Sequence, residues 1–248
     1  MRLDVYLTAA EVVPGALAGA VVAIIDVLRA STTITVALAN GARAVVPFDG
    51  MDAVAERARQ FERGDVRLAG EHKMQLIPGF DLGNSPGEFT SAAVSGKTIL
   101  ITTTNGTRAL LAAQGARDVV VASYVNCSVI TALLRSALRS DTPVVIICAG
   151  QDRHFALEDA GCAGRYVRLV TRRYSNVVMN DAAHACALID RKYGDNVQSL
   201  FLDSAHGRAL TETGFGHDLA VCAGIDSYPL IPVCADRQIT RLGPGHER

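Results

Sequence analysis

The stretch AVVAIIDVLRASTTI, residues 20–34, decides the fold of this chain. Its first six residues are apolar, as in a strand that is buried on both faces. The apolar run ends at Asp26, and Arg29 and Ser31 follow before a helix predicted over residues 32–38. A carboxylate, a guanidinium and several hydroxyl groups are therefore expected where a buried strand gives way to a helix.

The same pattern of a buried strand followed by a helix recurs through the first part of the chain. Such alternation is typical of right-handed crossovers in a parallel sheet. The predicted strands are residues 21–25, 44–48, 66–69, 98–102, 119–122 and 144–148, and the other predicted helices are residues 51–61, 106–113 and 128–138.

The chain turns more helical beyond Glu158. The patterns predict helices over residues 160–169, 182–193 and 200–210, and then a strand pair over residues 228–233 and 237–241. We therefore predict an α/β fold with three layers: a mostly parallel sheet flanked by helices, with a more helical C-terminal portion. A single domain over residues 1–248 is expected, and a subdivision would fall near residues 155–165.

Composition excludes several classes of partner. The 24 basic and 25 acidic residues nearly balance and there is no Trp, so nucleic acid is not an expected partner. The longest apolar stretch, residues 16–25, is too short to cross a membrane, and Asp4 and Glu11 interrupt any signal peptide. Six cysteines without a CxxC pair are interpreted as buried free thiols, and a cytoplasmic location is expected, with a homo-oligomer among the expected states.

Polar residues repeatedly follow the predicted strands. Asp26 follows the first strand, the segment TTTNGT (residues 102–107) the fourth, Asn126 the fifth and Glu158 the sixth. In an open parallel sheet, the carboxyl ends of the strands form the functional crevice. We therefore expect these residues to lie at one rim.

The segment TTTNGT has the chemistry of an anion-binding loop. Thr104, Asn105, Gly106 and Thr107 allow a tight turn, leave backbone amides uncovered and supply hydroxyl donors, which a phosphate group requires. Ordinary helix capping by Thr or Asn is an equally good explanation for this segment alone.

A second turn, GNSP (residues 83–86), offers two more donors. Pro86 biases Ser85 away from helical backbone, so Asn84 and Ser85 are predicted to lie in a rigid turn. An ordinary surface turn is the alternative. The same caution applies to His206, for which a solvated helix position is favoured over a catalytic one.

The carboxylates suggest a hard cation. Asp26, Glu71, Glu158 and Asp159 follow strands or enter the helical region, and two or three such oxygens with substrate oxygens would hold Mg²⁺. The alternative for Asp26 is a structural ion pair with Arg29.

Four motifs in order resemble the 2-phosphosulfolactate phosphatase family, the ComB-like proteins of coenzyme M biosynthesis. They are DVLRAST (26–32), GNSP (83–86), TTTNGT (102–107) and the CAG that leads to LEDAGCAG (148–164). A weaker likeness continues through SAHGRAL (204–210) to Asp218, so the resemblance covers nearly the whole chain.

The resemblance implies a Mg²⁺-dependent phosphomonoesterase whose substrate is a small phosphorylated 2-hydroxy acid, 2-phospho-3-sulfolactate. We hypothesise that Asp26 and Arg29 are catalytic and that Asp26, Glu71, Glu158 and Asp159 supply the metal ligands. The predicted substrate-binding residues are Ser31, Thr32, Asn84, Ser85, Thr104, Asn105, Gly106, Thr107 and Asn126. Arg108, Lys73 and Arg153 are candidates for further cationic contacts.

Three alternatives stay open from the sequence. The chain could be a phosphatase of this class with another hydroxy-acid phosphate as substrate, or a non-catalytic module that binds a phosphorylated metabolite. An NAD-dependent oxidoreductase is disfavoured because no G-x-G-x-x-G follows the first strand. Direct attack by water and a transient aspartyl phosphate at Asp26 are both compatible with these residues.

Overall fold

The computed structural model describes residues 1–13, 15–174 and 176–243, and the following elements lie within them. The strands are β1 (Arg2–Tyr6), β2 (Val21–Ile25), β3 (Ala44–Pro47), β4 (Val66–His72), β5 (Gln75–Leu76), β6 (Thr98–Thr102), β7 (Asp118–Ala122), β8 (Val144–Cys148), β9 (Val178–Met179), β10 (Pro232–Ala235) and β11 (Gln238–Arg241). The helices are α1 (Ala30–Ala39), α2 (Met51–Ala58), α3 (Ser91–Val94), α4 (Gly106–Ala112), α5 (Cys127–Arg139), α6 (Leu157–Thr171), α7 (Asp181–Tyr193), α8 (Val197–Asp203), α9 (Ala205–Glu212) and α10 (Gly216–Cys222).

The described strands form one sheet in the order β5-β4-β6-β3-β11-β10-β7-β2-β8-β1-β9. One parallel group is β4-β6-β3 and the other is β7-β2-β8-β1-β9. The hairpin β10–β11 joins them through antiparallel pairing with β7 on one side and β3 on the other. Since three antiparallel pairings separate the groups, their strands run in opposite directions within the sheet.

Helix α1 lies at the centre of the fold. Every residue from Ala30 to Leu38 is buried, as expected for a helix enclosed on all sides. It shares an apolar cluster with Ile24 of β2 and Ile101 of β6, which belong to the two different parallel groups. The two groups run in opposite directions, yet Gly106, which follows β6, lies beside Asp26 at the end of β2, so the sheet curves around α1 and brings these ends together.

Helices α3 and α4 share the apolar cluster of α1, whereas α2, α5, α6 and α7 cover the other faces of the two groups. Residues of α5, α6 and α7 pack on the face of β2 that Val21, Ala23 and Ile25 form. Val54 of α2 packs on β4 and β6. The predicted fold class is confirmed: the sheet is mostly parallel, helices flank it, and the C-terminal portion is more helical.

The principal differences from the predicted elements have simple causes. The strand β1 is absent from the predicted elements, although Leu3 and Val5 alternate with Arg2 and Asp4 as in a half-buried strand, because an alternation over five residues is a weak signal. The helix predicted over residues 200–210 is two helices, α8 and α9. Ser204 separates them, because its backbone is extended and its Oγ accepts a hydrogen bond of 2.9 Å from the Gly207 amide.

No helix within the described ranges combines the length and the apolar character needed to cross a membrane. The predicted single domain over residues 1–248 stays a prediction.

Candidate active site

Asp26 lies at the carboxyl end of β2, in a tight turn that its own segment builds. The Asp26 amide donates to Ser31 Oγ at 2.7 Å, and the Ala30 amide donates to Asp26 Oδ1 at 3.2 Å. Burial raises the pKa of Asp26 to about 6; the nearby His206 charge lowers it, while the charges of Glu71 and Glu158 raise it further. Asp26 is thus a buried carboxylate with titratable neighbours, as at many active sites.

The segment TTTNGT lies directly against Asp26. A Cβ built on Gly106 would stand 2.8 Å from Asp26 Oδ2 and 2.7 Å from the Ala30 Cβ. Asn105 occupies the N-cap position of α4 without making a capping bond, and its Oδ1 instead accepts from the Asp152 amide at 3.2 Å. Capping by Asn105 therefore does not explain this segment, and Gly106 is required for its close approach to Asp26.

Glu71 ties this segment to the end of β4. Its Oε1 accepts from both the amide and the hydroxyl of Thr104, each at 2.9 Å, and its Oε2 accepts from the Met74 amide at 2.8 Å. Both carboxylate oxygens are thus engaged within the protein. Thr103 and Thr107 complete the turn, since the Thr107 amide donates to Thr103 Oγ1 at 3.3 Å.

Asp159 joins the ends of two neighbouring strands. It accepts from the Val27 amide at 2.9 Å through Oδ1 and from the Gly150 amide at 3.1 Å through Oδ2. Burial raises the pKa of Asp159, and the charges of Asp26 and Glu158 add to the effect. Asp159 therefore lies beside Asp26, but its oxygens hold backbone amides.

His206 faces the same carboxylates. Its Nδ1 lies 3.4 Å from Glu158 Oε1, and its side chain is 16% exposed. Burial lowers the pKa of His206, but the contact with Glu158 and the charge of Asp26 outweigh it and leave the pKa above its ordinary value. The expected solvated position is wrong, because α9 packs against α6 and places His206 beside Glu158.

Arg29 is held by a residue from the far end of the chain. Its Nη1 donates to Asp218 Oδ2 at 2.7 Å, and its guanidinium lies 4.5 Å from the centre of the Phe215 ring. The Asp218 Oδ1 accepts from Ser85 Oγ at 2.6 Å. The alternative of an Asp26–Arg29 ion pair is therefore not what the structure contains, since Arg29 pairs with Asp218.

The turn GNSP lies against α1, as Thr33 Oγ1 donates to the Asn84 carbonyl at 2.8 Å. Ser85 has extended backbone before Pro86, which confirms the predicted effect of the proline. Asn84 Oδ1 is buried and has no hydrogen-bond partner among the described residues. Because a buried polar atom without a partner is costly, this oxygen has the character of a ligand contact.

Ser31, Thr32 and Asn126, like Ser85 and Thr104, use their side chains in hydrogen bonds within the protein. Ser31 Oγ accepts from the Asp26 amide, and Thr32 Oγ1 donates to the Val27 carbonyl at 3.0 Å. Asn126 is fully buried, with its amide bonded to the backbone of Ser123, Val121 and Leu230. These contacts favour structural roles in the turns that support the site.

The candidate cations Lys73, Arg108 and Arg153 are all exposed. A cavity of about 690 Å³ contains none of the predicted site residues. Its lining includes Val21 and Asp118, the first residues of β2 and β7, so it lies at the opposite end of those strands from Asp26.

The carboxylates of this site suit a divalent cation that one or two of them bind. They do not suit a site in which all four predicted carboxylates are ligands. In the described part of the chain, no three His, Cys, Asp or Glu side chains are grouped as metal ligands. Glu71 and Asp159 are engaged in hydrogen bonds to the protein, whereas Asp26 and Glu158 keep oxygens that do not bond to backbone amides. Mg²⁺ commonly takes one or two carboxylates and completes its shell with water and phosphate oxygens.

The fold is α/β and the site joins buried acidic groups to a tight turn, and comparison with known proteins identifies the class of enzyme as one that acts on phosphoric monoesters. A family model described as 2-phosphosulpholactate phosphatase matches residues 6–237. The chain belongs to this family, whose members are phosphoric monoester hydrolases.

Relatives in several bacteria carry the same description. A "Probable 2-phosphosulfolactate phosphatase" of Symbiobacterium thermophilum is 41% identical over 91% of this chain and 96% of its own length. Proteins so named from Caldanaerobacter subterraneus subsp. tengcongensis and Clostridium beijerinckii are 36% and 32% identical, over 85% and 97% of this chain and over 86% and 99% of their own lengths. The predicted resemblance is confirmed over nearly the whole chain.

Proposed function

We propose that this protein is a Mg²⁺-dependent phosphatase that hydrolyses 2-phospho-3-sulfolactate to 3-sulfolactate and phosphate. The observation that carries the proposal is the contact between the segment TTTNGT and the Asp26 carboxylate, in a chain whose relatives are named for this reaction. That contact brings the backbone of Asn105 and Gly106 to a buried acidic group, and backbone amides beside a carboxylate suit a phosphate ester and its cation.

Asp26 and Glu158 are the residues that would hold Mg²⁺. When bound, the cation would neutralise charge on the phosphoryl oxygens and on the leaving oxygen. Glu71 and Asp159 then have a supporting role: their hydrogen bonds fix the backbone of Thr104 and Val27, which belongs to the loops of the site.

The proposed substrate carries a phosphate, a sulfonate and a carboxylate, and the chain offers different residues for the phosphate and for the other anionic groups. Arg29 has a planar fork suited to phosphate, sulfonate or carboxylate. Of the three Arg29 guanidinium nitrogens, Nη1 alone has a hydrogen-bond partner in the described part of the chain. The Nε and Nη2 donors therefore remain for the substrate. In this proposal the Asn84 side chain, through its Nδ2 donor, and the backbone amides of Asn105 and Gly106 surround the phosphate.

His206 supplies the proton. Water forms the new bond to phosphorus and loses one proton to solvent while the ester P–O bond breaks. The leaving alkoxide is strongly basic and takes the proton of His206, which solvent then restores. Glu158 holds the Nδ1 side of His206, so Nε2 is the donor.

The test is phosphate release from a panel of phosphorylated 2-hydroxy acids, including phosphosulfolactate and phospholactate, with Mg²⁺ and with a chelator. We expect the highest kcat/KM for phosphosulfolactate and no turnover with the chelator. Faster turnover of phospholactate would contradict the substrate, and full activity in the chelator would contradict the cation.

Asp26→Asn tests the site itself. Because the variant keeps the shape and removes the charge, we expect kcat to fall by about 10²-fold or more. Asp203→Asn, at an exposed position of α8, is the control and should keep full activity. Wild-type turnover by Asp26→Asn would remove Asp26 from the mechanism.

A further inference from the structure

Asp218 connects two loops of the candidate active site from a position remote in sequence. It lies in α10 and is completely buried. Its Oδ2 accepts from Arg29 Nη1 at 2.7 Å, and its Oδ1 accepts from Ser85 Oγ at 2.6 Å. Each carboxylate oxygen thus holds one residue from a different part of the predicted anion site.

We propose that Asp218 is a positioning residue that holds Arg29, and the turn that carries Ser85, in place for the anionic substrate. It acts through these two side chains and does not touch the substrate itself. The inference rests on the proposed function, because it needs the site around Arg29 to bind a phosphorylated anion.

The physical need for such a residue comes from the arginine. A free arginine side chain has many rotamers, and ordering it at the moment of binding costs affinity. Two contacts remove that freedom in advance, the bond to Asp218 and the stacking on Phe215 at 4.5 Å. When the groups that bind a substrate are ordered in advance, the substrate binds more tightly and its reacting atoms are held in the right orientation.

The surroundings of Asp218 support a precise orientation. His217, on the same helix, approaches Asp218 Oδ1 at 3.3 Å but is largely exposed. Arg29 is therefore the buried charge that balances Asp218, whose side chain is inaccessible to solvent. A simple charge balance would need only Arg29; the second bond, to Ser85, sets the relative position of two site loops.

The principal experiment is Asp218→Asn, with kcat/KM and inhibition by inorganic phosphate as the two measurements. We expect kcat/KM to fall on the order of 10²-fold, because a displaced arginine no longer meets the anion. The inhibition constant for inorganic phosphate should rise by at least about tenfold for the same reason. A folded Asp218→Asn protein with wild-type values for both would overturn the inference.

Asp190→Asn is a matched control. Asp190 is also a buried aspartate that balances arginines, and it accepts from Arg165 Nε at 2.8 Å and from Arg168. It lies in α7, and within the described part of the chain its side chain bonds to Arg165 and Arg168, which are not among the predicted site residues. If loss of a buried ion pair alone lowers activity, Asp190→Asn will show the same change in both constants, and the inference fails.

A double-mutant cycle separates positioning from an independent effect. If Asp218 acts through Arg29, then Asp218→Asn added to Arg29→Met should cost far less than it costs in the wild type. If the loss in kcat/KM of the double variant equals the product of the losses in the two single variants, Asp218 acts by another route and the inference is overturned.

Asp218→Glu keeps the proposal testable if Asp218→Asn does not fold. It retains the charge but moves the carboxylate by one methylene, so we expect a folded protein with lower kcat/KM and weaker phosphate inhibition. Wild-type constants in this variant would show that position is unimportant. Failure of the proposed function looks different, because the wild-type protein itself would then release no phosphate from any ester tested.

Discussion

At the scale of the residue, the buried aspartates show how environment sets the role of one side chain. Asp159 accepts two backbone amides, Asp190 accepts two arginines, and Asp218 accepts an arginine and a serine. Among the described residues, the Asp26 side chain accepts only from the Ala30 amide, and it lies among other acidic groups. Asp26 is therefore the aspartate of these four that is left free to meet a ligand.

His206→Gln tests the proton donor. Since an alkoxide leaving group needs a proton, kcat for the hydroxy-acid phosphate should fall by about 10²-fold or more. The loss should be much smaller for p-nitrophenyl phosphate, whose leaving group is stable without a proton. His184→Gln, at an exposed position of α7, is the control for the substitution. Equal losses on both esters would contradict the role of His206 as an acid.

Asn126→Ala distinguishes the predicted binding role from the structural one. The Asn126 amide bonds to three backbone groups in a fully buried turn, so its removal leaves them without a partner. We expect the free energy of unfolding to fall by about 1–3 kcal/mol, measured by urea denaturation. KM should stay unchanged in the folded protein, and a large rise in KM would restore the binding role.

At the scale of the element, the site depends on how closely the loop before α4 approaches the end of β2. Three features set this approach: the absence of a side chain at Gly106, the bonds from Thr104 to Glu71, and the turn that Thr103 and Thr107 close. Three of the four motifs that the sequence singles out thus form turns, and the fourth reaches the site through Asp159 of α6.

Gly106→Ala tests this approach. The new methyl group would stand 2.8 Å from Asp26 Oδ2, so the loop must move away. We expect kcat/KM to fall by about tenfold or more, since small displacements are costly in an active site. Gly64→Ala is the matched control, because a Cβ there meets nothing within 4 Å. Equal activity of both variants would show that the contact is unimportant.

At the scale of the whole molecule, two groups of parallel strands pack against one buried helix, and the strands of one group run opposite to those of the other. The hairpin β10–β11 comes from the end of the chain and joins the groups that the earlier strands form. Helix α1 fills the space between them, and α6 and α9 bring Glu158 and His206 to the same region. Residues distant in sequence therefore meet at the end of β2.

The reactivity of the cysteines reports how well the interior of the protein is shielded from solvent. Cys127, Cys148, Cys162, Cys186 and Cys222 are buried, and all six cysteines, which fall in the described ranges, are free. Burial raises the pKa of the Cys127, Cys186 and Cys222 thiols to about 12, so almost no reactive thiolate is present near neutral pH.

A thiol reagent applied to the native protein near pH 8 should therefore leave the five buried cysteines unreacted, because only the thiolate attacks it. Cys234, which is partly exposed, should react slowly. In denaturant, all six should react. Rapid reaction of two or more thiols in the native protein would contradict this packing.

Much of the fold and part of the site follow from local pattern. β2, β6 and β8 occupy the predicted residues because runs of buried apolar residues mark central strands. The reasoning from strand ends correctly selected Asp26 and the segment TTTNGT as neighbours, although the two strand groups run in opposite directions and the sheet must curve for them to meet. His206 and Phe215 were not selected, because a single histidine or phenylalanine on a short helix carries no local signal of what it faces.

The sequence by itself determined the α/β class, the family and the turns that carry the acidic and hydroxyl groups, because strand periodicity, proline and glycine act over a few residues. Only the tertiary structure decided which groups pair: Arg29 with Asp218, Glu158 with His206, Glu71 with Thr104. The reason is that hydrogen bonds and charge act over a few ångströms in space, whereas these partners are separated by tens of residues or more in the chain. Packing of the helices around the curved sheet brings them within that range.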